Sequence, residues 1–184
     1  LIKGPLEIIP RVFCDDRGYF FESWNERDFK YFVDPAISFV QDNQSLSKRG
    51  TLRGLHYQLN PLPQAKLVRG TKGEVFDVIV DLRENSETFK TWTSIVLSSQ
   101  LKNQIWIPNG FAHGFLTLSE EAIVEYKVTN FWEKELDRTI LWNDHSIAIK
   151  WPSLNDELFI PNLSLKDKNG LTLNSAIEKG EIFK

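Results

Sequence analysis

The sequence has little cysteine and no long hydrophobic run, and each shortage argues against a class of protein. Cys14 is the only cysteine among 184 residues, which rules out an internal disulfide and favours a reducing compartment. Asp15 and Asp16 follow it and disfavour a thiolate, which argues against a catalytic cysteine. No apolar run approaches the ~20 residues that span a bilayer, and the first residues lack the layout of a signal peptide. The sequence therefore predicts a cytoplasmic protein without membrane association.

Positive charge is also in short supply. The chain carries 22 Lys and Arg against 25 Asp and Glu, a net charge of -3, so it has no basic field to attract nucleic acid. An anionic ligand would need a local cluster of basic side chains. The hydrophobic fraction of 41% and the length fit one soluble domain spanning residues 1–184.

Short runs rich in β-branched and aromatic residues, separated by turn residues, dominate the middle of the chain. The predicted strands lie at 67–70, 74–82, 91–97, 103–107 and 121–128. Even spacing of this kind predicts an all-β sandwich or barrel.

Helical signals are few. Residues 25–33 predict a helix with Phe29, Phe32 and Val33 on one face, ended by Pro35. A second helix is predicted at 174–181, capped by Asn174 or Ser175. The stretch 155–170 is irregular, and composition leaves open whether it is an ordered loop over a site or a loose tail.

Two of the three histidines lie in motifs that resemble the paired motifs of the cupin superfamily of jelly-roll barrels. Five residues separate Gly50 from His56, and the second motif is Pro108-x-Gly110-x-x-His113. The third histidine, in the polar stretch Trp142-Asn-Asp-His145-Ser, is interpreted as a turn residue.

The rest of the first motif argues against a metal. Gln58 occupies the position of the second histidine ligand, and Lys66 falls near the position of the glutamate ligand, where it would repel a cation. Divalent metals in proteins need three or more suitable ligands, so no metal site is predicted. A pocket with histidine, lysine and arginine instead suits removal of a proton beside a carbonyl, with positive donors holding the oxyanion that forms.

Ordered motif matches extend through nearly the whole chain. They lie at 16–23, 39–43, 52–58, 66–69, 73–78, 106–115, 126–127, 141–144 and 163–167. On these runs the chain resembles the dTDP-4-dehydrorhamnose 3,5-epimerases, the enzymes of the third step of dTDP-L-rhamnose synthesis. The resemblance implies a mainly β, cupin-type jelly-roll barrel with a few short helices. It also implies a dTDP-sugar substrate whose C4 ketone acidifies the hydrogens at C3 and C5, and no cofactor.

The resemblance also implies roles for particular residues. His56 matches the base, Asp167 its carboxylate partner, Lys66 the lysine near the enolate oxygen, and Tyr126 the acid on the opposite face. The matching substrate-binding positions are Arg17, Glu22, Gln41, Asn43, Arg53, His113 and Lys166.

Two positions depart from the family pattern. Trp132 takes the place of a tyrosine that stacks on thymine, and tryptophan can stack at least as well. Asp137 takes the place of a binding glutamate and is one methylene shorter.

Alternatives remain open at this point. A relative that inverts only one centre would need the same base and lysine, although Tyr126 favours inversion at both. A non-catalytic sugar-nucleotide-binding cupin would not need a histidine base with a carboxylate partner. A metal-dependent oxygenase would need more metal ligands than the two motifs supply. The resemblance further implies a homodimer, with Arg17 a candidate to enter a neighbour's site.

Overall fold

The structure is a computed structural model that describes residues 2–154 and 160–184. Within those ranges the strands are β1 Leu6–Ile8, β2 Phe13–Asp15, β3 Gly18–Phe20, β4 Gln41–Lys48, β5 Leu52–Gln58, β6 Lys66–Lys72, β7 Glu74–Asp81, β8 Trp92–Ser98, β9 Gln104–Ile107, β10 Phe111–Thr117, β11 Glu121–Val128 and β12 Asp137–Thr139. The helices are α1 Glu26–Phe32, α2 Leu165–Lys168 and α3 Leu173–Glu178. The five predicted strands are all present, and each begins and ends within two residues of its predicted bounds.

Two five-stranded sheets form the body of the fold. Their strand orders are β1-β9-β6-β11-β4 and β12-β5-β10-β7-β8, and β2 and β3 form a separate hairpin. The strands within them pair antiparallel, and neighbours are often distant in sequence, as expected for a jelly roll. The predicted mainly β, cupin-type fold is confirmed.

Apolar side chains fill the space between the two sheets and cover both outer faces. Between the sheets, Val68 and Val124 of the first sheet pack with Ile79 and Phe115 of the second. Residues of the carboxyl-terminal segment cover the outer face of the second sheet, and α1 with its flanking aromatics covers part of the first.

An irregularity in β5 decides which of its side chains enter the barrel. His113 of β10 lies opposite His56, whereas Phe115, two residues on, lies opposite Arg53, three residues back. Because His113 and Phe115 share one face of their strand, the extra residue places His56 and Arg53 on one face too. Gly54 makes this possible: its φ is +124°, and a Cβ there would lie 2.5 Å from Gly114 Cα.

The helix predictions were confirmed in part. Helix α1 lies within the predicted range 25–33, and Asn25 is its N-cap, with its side chain accepting from the backbone N–H of Asp28. The carboxyl-terminal helix starts earlier than predicted, because Thr172 and not Asn174 or Ser175 accepts from the first free N–H groups, and it ends at Glu178. In the stretch 155–170, residues 155–159 lie outside the described residues, and the remainder contains α2. Within the described ranges no helix is long and apolar enough to cross a membrane.

Candidate active site

The histidine of the first motif and the carboxylate of the last one meet inside the barrel. His56 Nε2 lies 2.5 Å from Asp167 Oδ1. Asp167, only 2% exposed, is held from two further sides. The Ser164 hydroxyl donates to Oδ2 at 2.7 Å, and the Gly54 N–H donates to Oδ1 at 3.4 Å. Ser164 is also the N-cap of α2, so the cap and the carboxylate position each other.

The surroundings keep this histidine neutral and fix its tautomer. Burial lowers the pKa of His56, and the charges of Lys166 and Lys66 act in the same direction, while Asp167 opposes them. Burial alone would raise the pKa of Asp167, but the hydrogen bonds from His56, Ser164 and Gly54 hold it below its usual range. Since a carboxylate only accepts, Nε2 carries the hydrogen and Nδ1 is the nitrogen that can take a proton.

Lys66 of β6 supplies the buried cation near this pair. It is 7% exposed, and its Nζ donates to the backbone carbonyl of His56 at 3.3 Å. Burial lowers its pKa to about 8, while the charges of Asp137 and Asp77 resist the shift. The ammonium is therefore mostly protonated at neutral pH and sits where it can stabilise an oxyanion.

Tyr126 of β11 stands on the opposite sheet, with Asn43 and Val68 as its cross-strand neighbours. Burial raises its pKa, and Arg53 pulls in the other direction. The phenol thus stays protonated at neutral pH and can donate a proton. The charge of Arg53 favours ionisation of the phenol, but burial has the larger effect.

A second histidine–carboxylate pair, not foreseen from the sequence, lies beside the first. His113 Nε2 is 2.7 Å from Asp77 Oδ2, and both side chains are buried. The other oxygen of Asp77 has no hydrogen-bond partner among the described residues. The sequence did carry a sign of this pair, because an aspartate in the otherwise apolar run 75–80 needs a buried partner.

Three predicted nucleotide-binding residues come together through hydrogen bonds of Gln41. Gln41 Nε2 donates to Asn43 Oδ1 at 2.8 Å, and Gln41 Oε1 accepts from the Trp132 backbone N–H at 3.3 Å. The indole of Trp132 remains 52% exposed. Arg53 donates to the Ser47 hydroxyl at 2.9 Å.

Asp137, which stands where the family has a glutamate, has a partner within the site. Asp137 of β12 forms an ion pair with Lys166 of α2. Both charges act on Lys66, Asp137 raising its pKa and Lys166 lowering it. Helix α2 thus contributes two consecutive residues, Lys166 and Asp167, to the same site.

Two predicted binding residues lie elsewhere in the chain. Arg17 is exposed on the β2–β3 hairpin and pairs with Asp15, and Glu22 accepts from the side chain of Asn25 at the start of α1. His145 is an exposed turn residue, as predicted, and Cys14 is exposed on β2.

The fold and the site define a class of protein. A cupin-like barrel holds a neutral histidine with a carboxylate partner, a buried lysine and a protonated phenol on the facing sheet. These are the groups that an acid–base isomerase requires. The chain belongs to the dTDP-4-dehydrorhamnose 3,5-epimerase family, whose model matches residues 1–175.

Several relatives can be compared directly. The dTDP-4-dehydrorhamnose 3,5-epimerase of Pseudomonas aeruginosa is 56% identical over 161 residues, covering 88% of this chain and 86% of that protein. The crystal structure of the 3,5-epimerase of Legionella pneumophila in complex with dTDP-4-keto-L-rhamnose is 41% identical, with a TM-score of 0.92, covering 100% of this chain and 94% of that one. A 3'-monoepimerase of Streptomyces bikiniensis in complex with dTDP-quinovose is 28% identical, with a TM-score of 0.89, covering 100% and 90%.

Proposed function

We propose that the protein converts dTDP-4-dehydro-6-deoxy-D-glucose into dTDP-4-dehydro-L-rhamnose by inverting C3 and C5. The observation that carries this proposal is the contact between His56 Nε2 and Asp167 Oδ1, which leaves Nδ1 of a neutral imidazole as a base. The names of relatives that share half of the sequence supply the substrate.

In the proposed mechanism, His56 Nδ1 takes the proton from the carbon beside the C4 ketone. The C–H bonding pair forms a C=C double bond to C4, the carbonyl π pair moves onto oxygen, and the Lys66 ammonium stabilises the resulting enolate. Tyr126 returns a proton to carbon from the facing sheet, which inverts the centre. Hydrogen leaves and returns as a proton, so the substrate undergoes no net oxidation and no redox cofactor is required.

The remaining predicted residues form the binding surface in this proposal. Trp132 stacks on the thymine, and Arg53 and Lys166 face the diphosphate and sugar, with the arginine suited to a bidentate contact. Gln41, Asn43, His113 and Asp137 complete the polar lining. The charge of Asp137, paired with Lys166, also keeps Lys66 protonated.

We further propose that the active protein is a homodimer working in the cytoplasm. The β2–β3 hairpin exposes Phe13, Tyr19 and Phe20, an apolar surface that a second copy would cover. Arg17 sits on the same hairpin, so pairing would carry it and Glu22 toward the partner's barrel. The single exposed cysteine is compatible with a reducing compartment.

Deuterium exchange tests this function. The protein is incubated with dTDP-4-keto-6-deoxyglucose in D2O, and deuterium at C3 and C5 is followed by NMR. Exchange at both carbons is expected. Exchange at one carbon would establish a single-centre epimerase, like the relative from Streptomyces bikiniensis, and binding without exchange would establish a binding module.

Replacing the base provides the matched control. His56→Ala is expected to abolish exchange at both carbons while the affinity for dTDP changes little, because the imidazole acts on the sugar. Turnover retained in this variant would remove His56 from the role of base.

A further inference from the structure

Gln58 stands where the motif would place a second histidine ligand, yet its side chain serves a different purpose. Its amide nitrogen donates to the backbone carbonyls of Leu62 at 2.5 Å and Phe131 at 3.0 Å. Its amide oxygen accepts from the backbone N–H of Glu133 at 2.8 Å. One side chain therefore joins the loop after β5 to the loop before β12.

This arrangement uses the full donor capacity of the amide. Gln58 is 3% exposed, and both Nε2 hydrogens and the oxygen have partners within the protein. A buried amide with three backbone partners holds them at fixed spacing, because losing one bond would leave a polar group unpaired. Phe131 and Glu133 flank Trp132, so both peptide neighbours of the exposed indole are fixed to the same side chain.

Two other side chains also hold this loop, one of them through the Trp132 N–H itself. Gln41 accepts from the Trp132 N–H at 3.3 Å, and Gln64 donates to the Asn130 carbonyl at 2.8 Å. Among the described side chains, Gln58 is the one that contacts the backbone on both sides of Trp132.

We propose that Gln58 is a positioning residue for nucleotide binding, which holds Trp132 in the orientation that receives the base. The inference rests on the proposed role of Trp132 in stacking on thymine. Gln58 also shares a strand with His56, but its polar atoms are engaged with the two loops, so its effect should fall on affinity for the nucleotide and not on proton transfer.

Gln58→Met tests the inference, since methionine keeps the length of the side chain and removes its hydrogen bonds. We expect the Kd for dTDP and the KM for the dTDP-sugar to rise about tenfold, because the loop around Trp132 is less ordered once one or two hydrogen bonds to it are lost. We expect kcat to stay within about threefold of the original value. Affinity is measured by titration calorimetry with dTDP.

A double-mutant cycle separates positioning from a general structural effect. In a Trp132→Ala background, Gln58→Met should weaken dTDP binding no further, because there is no indole left to position. An equal loss in both backgrounds, an unchanged Kd, or a collapse of kcat with unchanged Kd would overturn the inference. If Trp132→Ala alone leaves the Kd unchanged, the stacking role itself fails, which is a distinguishable result.

Asn103 offers a matched control far from this loop. It is 2% exposed, and its amide also makes three bonds, to Val96 O, Glu7 Oε1 and the Ser98 N–H. Asn103→Leu should lower the melting temperature comparably without changing the Kd for dTDP. If Gln58→Met does not fold, Gln58→Asn replaces it: the amide is kept but is one methylene shorter, so it cannot hold both loops at once, and a raised Kd is again required.

Discussion

His56 and Asp167 are 111 residues apart in sequence, yet His56 Nε2 lies 2.5 Å from Asp167 Oδ1. The two side chains come from different structural elements, a strand of the second sheet and the short helix α2. The contact therefore depends on how α2 is fixed at the barrel, and the residues that fix it become targets for mutation.

Ser164→Ala should shift the acid limb of the pH profile of kcat/KM upward. The Ser164 hydroxyl donates to Asp167 and holds its pKa down. Without it the carboxylate attracts the imidazolium more strongly, so the pKa of His56 rises and the base is lost at a higher pH. A shift of roughly half a pH unit is expected, since one hydrogen bond contributes on the order of 1 kcal/mol.

The control for this variant is another helix cap. Thr172→Ala removes the cap of α3 and should cost a similar ~1 kcal/mol of stability while leaving the acid limb in place. Ser164→Thr keeps the hydroxyl and should restore the original profile. A loss of stability with an unmoved acid limb in Ser164→Ala would mean that the serine serves the helix alone.

Asp137→Asn and Lys166→Gln should move the alkaline limb in opposite directions. The pKa of Lys66 is about 8, raised by the charge of Asp137 and lowered by that of Lys166. Removing the negative charge lowers this pKa, so the protonated lysine is lost at a lower pH; removing the positive charge raises it. The limb of the kcat/KM profile is expected to move by roughly half a unit each way.

The opposite signs make this pair its own control. Both variants break the same ion pair. If losing that ion pair were itself the cause, the alkaline limb would move in the same direction in both variants. That result, or an alkaline limb that stays in place in both, would show that Lys66 does not set it.

Much of this site followed from the sequence, and the misses have physical causes. The histidines of the two cupin-like motifs indicated acid–base chemistry because few side chains can do it, whereas the roles of Lys166 and Asp167 were implied by the resemblance to the family. The pairing of Asp77 with His113 was missed because the sequence around a buried aspartate does not show which residue it contacts. The loop-binding role of Gln58 was missed because hydrogen bonds to backbone atoms leave no trace in the partners' identities. Arg17 and Glu22 lie away from the barrel, and their local sequence does not predict this because it depends on the tertiary fold.

Mixing two defective variants tests whether Arg17 acts across a dimer. Expressed alone, His56→Ala should be inactive and Arg17→Ala should be weak at low substrate concentration. The two variants are then given different tags and coexpressed. A mixed dimer contains one site with an intact His56 from one chain and an intact Arg17 from the other. Activity of coexpressed protein should then recover to about a quarter of the original, since half of the dimers are mixed and each has one complete site.

The tags allow the mixed species to be purified and its mass measured by light scattering. Recovery confined to the doubly tagged fraction is the expected result. If mixed dimers form and remain inactive, Arg17 serves its own chain or none, and a monomeric mass would contradict the dimer itself.

Gly54→Ala should destabilise the protein more than Gly18→Ala, although both glycines have a positive φ. Gly54 has a φ of +124°, and a Cβ there would lie 2.5 Å from Gly114 Cα and 2.8 Å from the His113 carbonyl oxygen. Since both are backbone atoms, β5 and β10 must move apart, and a loss of roughly 2–4 kcal/mol in the free energy of unfolding is expected.

Gly18→Ala is the control that separates backbone strain from steric contact, because Gly18 has a φ of +129° with nothing within 4 Å of the added carbon. It should cost only about 1–2 kcal/mol. Urea unfolding measures both, and equal losses would show that strain alone, not the close approach of the two strands, requires glycine at this irregularity.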